Sequence, residues 1–138
     1  MTKPEFVLKP SKKPWSWYDP IYRTDFLLFS CTFEDMQAWT RRALDVDLAR
    51  SQKAWGSTYW IHDRSVMVIW LNSAESAPVA AWNGLIAHEA MHATNNVLLN
   101  AGLQHTNESD EAYAYYTGWL VEEMDMRLKL KPAAKNGS

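Results

Sequence analysis

The 138-residue sequence has a single cysteine, Cys31, and only five glycines. One cysteine excludes an intrachain disulfide and every multi-cysteine zinc or iron-sulfur site. So few glycines argue against repeated Gly-rich phosphate loops. There is no basic excess either, because 14 Lys and Arg stand against 16 Asp and Glu, a net charge of -2. Such a chain has no general electrostatic handle on a polyanion, so nucleic acid is not an expected partner. Long hydrophobic runs are also missing. The longest, Val66 to Leu71, falls far short of the roughly 20 residues of a membrane span. Pro4, Pro10 and Pro14 interrupt the start where a signal peptide needs an apolar stretch. The expectation is a cytoplasmic protein with no membrane partner. At 47% hydrophobic and 22% charged residues, the composition is that of one folded domain with its own core.

What the sequence has in excess is aromatic, with eight Trp and six Tyr. These side chains serve a core or an interaction surface. Residues 1–20 carry four of the six prolines together with Lys3, Lys9, Lys12 and Lys13. They are expected to run as an extended arm, which Trp15, Trp17 and Tyr18 could pin to the domain or to another subunit. The domain proper is expected over 21–130, followed by a flexible tail at 131–138.

Within the domain, Asp25 to Ser30 reads as a buried strand. Thr32 reads as the N-cap of an amphipathic helix over 33–50, with Glu34 and Asp35 in its first turn. Ser57–Asp63 and Val66–Leu71, separated by Arg64-Ser65, read as a β-hairpin. A long helix is expected over about 78–100 and a last one over about 108–128, joined by a loop at 102–106. The expected fold class is α+β: a small antiparallel or mixed sheet with about three helices.

The long helix contains His88-Glu89-Ala90-Met91-His92, the HExxH pattern. Four residues turn an α-helix by about 400°, so both imidazoles project from one face and can share a metal ion. Zinc suits two imidazole nitrogens at about 2.0 to 2.1 Å, with one position kept for water. Glu89 can then take a proton from a water made acidic by the metal and pass it to a leaving amine. With four histidines in the chain, an accidental HExxH has a chance of roughly 0.7%, so the match carries weight.

A zinc site needs a third ligand. The arrangement with a third His six residues on is excluded, because Leu98 stands there. Glu111, nineteen residues after His92, is the choice for an acidic ligand from a second helix, with Glu108 and Asp110 as alternatives. Glu111, Ala114, Tyr115 and Gly118 share one helical face, and the two small residues would allow that face to approach the motif helix closely. For stabilising an oxyanion the candidates are Tyr115, Tyr116, His105 and His62, with Tyr115 set beside Glu89 as the working choice. The strand at 57–63 could hold a peptide by strand addition.

The pair of motifs His88-Glu-Ala-Met-His92 and Glu111-Ala-Tyr-Ala-Tyr115 resembles the zincin-like metallopeptidases of the Glu-ligand (gluzincin) type, in particular small HExxH proteins of tailed phages and prophages. The resemblance spans about residues 57–125 and leaves the arm uncovered. It implies a compact zincin-like domain with an HExxH helix paired with a Glu-ligand helix. It also implies His88, His92 and Glu111 as ligands of Zn2+, and Glu89 as general base in hydrolysis of a peptide or protein substrate. The alternative function is a structural or adaptor component of a phage neck or tail, docking on other phage structural proteins through the arm. Host cytoplasm or the virion would be the location.

Overall fold

The computed structural model describes residues 3–50 and 54–134. Its element order is β1 (Phe6–Val7), β2 (Trp15–Asp19), β3 (Thr24–Cys31), α1 (Phe33–Leu44), β4 (Gly56–Ile61), β5 (Val66–Asn72), α2 (Val79–Asn100), α3 (Asp110–Leu128) and β6 (Lys131–Pro132). The class is α+β.

The main sheet has the order β2-β3-β5-β4. β3 and β5 are parallel, Phe26 opposite Met67 and Leu28 opposite Ile69, while β2 and β4 pair antiparallel on the two sides. The expected hairpin is β4 and β5, joined through a 3-10 turn at His62–Arg64. Central β5 is buried along its whole length, as a strand covered on both faces must be. Its alternation sorts the core into two layers. Met67, Ile69 and Leu71 point with Phe26 and Leu28 to α2 and α3, where Trp82, Ile86, Ala90, Val97, Leu120 and Met124 meet them. Val66, Val68 and Trp70 point with Phe29 to the side of Phe33 and Met36 on α1.

The first helix starts as its cap predicts, with the Asp35 amide donating to Thr32 Oγ1 at 3.2 Å. It stops at Leu44, short of the expected residue 50. Asp45 adopts φ 54°, and its amide bonds back to the Thr40 carbonyl. Asp tolerates this left-handed conformation better than most residues. Leu48 is buried beyond the helix end, so its apolar character reflects burial of the connecting segment and not another helical turn.

The described part of the arm, residues 3–20, contains no helix, and its strand β2 belongs to the sheet. β2 forms its edge beside β3, and Trp15 and Trp17 pack on the main core. Trp17 stacks on Phe26 at 5.2 Å, with the Arg127 guanidinium 4.3 Å above its ring. A second, two-stranded ribbon joins β1 to β6, so residues 131–132 of the expected tail are paired as well. Residues 135–138 of that tail lie outside the described residues. No helix among the described residues is long and apolar enough to cross a membrane.

Candidate metal centre

Helix α2 is covered on two sides. Ile86, Ala90 and Val97 face the sheet, and Thr94 meets α3, where the Thr117 hydroxyl donates to Thr94 Oγ1 at 2.8 Å. The strip left over carries His88 and His92, both exposed. This strip forms one wall of a cleft of about 520 Å3. Edge strand β4, from Gly56 to Tyr59, forms the opposite wall, and Trp55 and Leu85 add apolar surface.

Within the cleft His88 Nε2 and His92 Nε2 lie 3.1 Å apart, with ring centroids at 4.6 Å and planes at 81°. Two nitrogens bound tetrahedrally at about 2.0 to 2.1 Å would be separated by about 3.3 to 3.4 Å. The imidazoles therefore converge at almost the spacing that a zinc ion requires. Glu89, between them in sequence, turns inward and is 3% exposed. Its Oε1 accepts from Thr58 Oγ1 of β4 at 2.8 Å. A buried carboxylate is costly unless its oxygens are satisfied, and this strand hydroxyl meets that requirement for one of the two.

Gly56 is closely packed at the end of the β4 wall. A Cβ there would lie 2.8 Å from Leu71 Cδ2, 3.1 Å from the Trp70 carbonyl oxygen and 3.4 Å from Glu89 Cγ. The two tight contacts are with β5, so the strand pair leaves no room for a side chain here, while the helix atom stands at ordinary van der Waals distance.

No family model, curated protein or solved structure matches the chain.

The two histidines and Glu89 are brought together as the motif predicts, but Glu111 is not brought to them. It is exposed in the first turn of α3 and lines no part of the cleft. The reason is helix register. The buried residues of α3 are Tyr113, Leu120, Met124 and Leu128, and Thr117 on the same stripe bonds to α2. Glu111 lies about 120° from Thr117 around the axis. The expected contact face of Glu111, Ala114, Tyr115 and Gly118 is accordingly not the buried one, and all four residues are exposed. Asp110 bonds to His105 Nε2 at 2.8 Å, away from the cleft. Glu108 lines a surface beside the 102–109 loop, where local hydrogen bonds to its own backbone and to Thr106 hold its carboxyl below the usual value. Among the described residues, no group of three or more His, Cys, Asp or Glu forms a complete metal cluster. The site therefore offers zinc two imidazole nitrogens beside a buried carboxylate, and among the described residues no third protein ligand joins them.

The four oxyanion candidates lie elsewhere. Tyr115 is 76% exposed and borders a groove with Tyr22 and Trp119. Tyr116 donates to Asp19 Oδ2 at 2.7 Å, and burial together with that carboxylate drives its phenol well above the ordinary range. His105 stacks on Tyr113 at 4.2 Å, and His62 Nδ1 accepts from Trp60 Nε1. Among the residues that do line the cleft and that the motif did not indicate are Thr58 and Tyr59. Tyr59 donates to the Ala49 carbonyl at 2.8 Å, and burial raises its phenol. The alternation of β4 marked both as strand residues, but nothing in it marked either as a neighbour of Glu89.

Proposed function

We propose that this chain is a zinc-dependent hydrolase of peptide bonds built on a zincin-like arrangement, with His88 and His92 as metal ligands and Glu89 as general base. The observation that carries the proposal is the convergence of two exposed imidazoles at 3.1 Å beside a buried glutamate on one helix. Zinc bound there supplies a Lewis acid that makes a water acidic near neutral pH.

The residues of the chain do the rest. With Oε1 engaged by Thr58, Glu89 keeps its other oxygen for a proton, which it takes from the attacking water and returns to the leaving amine. As the amine leaves with that proton, the C–N bond breaks and the carbonyl carbon keeps the hydroxyl left by the water. Edge strand β4, which pairs on one side with β5, offers its other side to an extended peptide by strand addition. Trp55 and Leu85 give that peptide an apolar surface.

The adaptor reading, in which the N-terminal arm docks on phage structural proteins, has less support. Trp15 and Trp17 already pack on the domain's own core. The test is cleavage of an internally quenched peptide library by the zinc-loaded chain. Glu89→Gln should keep zinc and fold but lose turnover by about two orders of magnitude or more. Equal turnover by both proteins would sink the assignment.

A further inference from the structure

A glutamate side chain has three rotatable bonds, and a general base must present one oxygen in a narrow range of directions. Burial limits where the Glu89 carboxylate can go but does not by itself choose among its rotations. The only side chain that hydrogen-bonds it among the described residues is Thr58, with Oγ1 at 2.8 Å from Oε1. The same Oγ1 lies 3.3 Å from the Glu89 main-chain carbonyl oxygen. A hydroxyl has one proton to give, and the shorter contact to the charged oxygen takes it.

Thr58 is well suited to hold that direction. It is β-branched and so stiff at χ1. Its backbone is held in β4 by pairing opposite Ile69 of the fully buried β5. Two residues earlier on the same face, Gly56 packs tightly against Leu71 of the same buried strand.

We propose that Thr58 is a positioning residue: its hydroxyl fixes Oε1 and thereby aims the second oxygen of Glu89 into the cleft as the base. This role rests on the hydrolase reading above. It gives the edge strand a part in setting the base in addition to lining the cleft.

The experiment compares zinc-loaded wild type, Thr58→Val and Thr58→Ser on the best-cleaved member of an internally quenched peptide library. Val keeps the shape and removes the donor, while Ser restores the donor. The expected result for Thr58→Val is a fall in kcat of about 10- to 100-fold, the usual cost of losing an orienting partner, with KM and zinc content unchanged. Thr58→Ser should recover kcat to within a few-fold of wild type. Should Thr58→Val fail to fold, Thr58→Ala removes the same hydroxyl without apolar bulk and takes its place. Wild-type kcat in the hydroxyl-free variant, or a Ser variant as slow as Val, overturns the positioning role and leaves the hydrolase reading standing. Zinc-loaded wild type that cleaves no library member overturns both.

Discussion

Gly56→Ala is the sharpest structural perturbation, because two opposed effects act on it and the structure decides between them. Replacing Gly by Ala at a permissive position stabilises by about 0.4 to 1 kcal/mol, through lost freedom of the unfolded chain. Here the added methyl would stand 2.8 Å from Leu71 Cδ2 and 3.1 Å from the Trp70 carbonyl oxygen. Leu71 is fully buried, and the Trp70 oxygen is backbone of a central strand, so neither can yield freely. Overpacking of this kind costs about 1 to 3 kcal/mol. The net expectation is destabilisation by about 1 to 2 kcal/mol, which for a chain of this size is a fall in Tm of roughly 3 to 6 °C. Gly84→Ala is the matched control. It lies inside α2 with nothing within 4 Å of the added Cβ, so it should stabilise by about 0.5 to 1 kcal/mol. Thermal denaturation followed by circular dichroism reads both. A Gly56→Ala protein as stable as wild type would refute the tight packing of Gly56 against Leu71 and the Trp70 carbonyl of β5.

Three further outcomes are expected. Glu111→Ala should bind zinc as tightly as wild type in a calorimetric titration, because Glu111 stands outside the cleft; loss of binding would show that the α3 register described here is wrong. Tyr116→Phe should destabilise by about 1 to 3 kcal/mol in urea unfolding, since it strips a donor from the buried Asp19 carboxylate; an unchanged midpoint would contradict that bond. Cys31, whose thiol burial pushes up from 9.0 to about 12, with Asp35 adding to the effect, should resist thiol reagents at pH 8 until the protein unfolds. Because its folded value is raised, its contribution to stability is present below about pH 9 and is lost as the pH climbs towards 12, which unfolding midpoints across that range would measure.

The parts of the fold that were legible in the sequence are those governed by local chemistry. The Thr32 cap, the β4–β5 hairpin and the two long helices all follow from capping residues, alternation and the absence of breakers. The end of α1 was not legible, because Leu48 continues an apolar rhythm although Asp45 has already turned the chain. Prolines near the start excluded a helix but could not reveal that β2 would pair with β3, since pairing depends on partners outside the segment. The site divides the same way. His88, Glu89 and His92 lie within five residues of one helix and needed only helical geometry. The bond from Thr58 to Glu89 spans 31 residues, and the direction in which Glu111 points depends on which stripe of α3 buries against α2. Two stripes were available, and packing of Tyr113, Leu120 and Met124 selected the one that turns Glu111 away.

The central claim, that His88 and His92 form a zinc site, is tested most directly by metal content. Protein equilibrated with zinc, freed of excess by gel filtration and measured by elemental analysis should hold close to one zinc per chain. His88→Ala and His92→Ala should each lose it while keeping the wild-type circular dichroism spectrum, and Glu89→Gln should retain it. Wild-type protein that leaves the column without zinc, or a doubly substituted His88→Ala, His92→Ala protein that keeps it, would contradict the account.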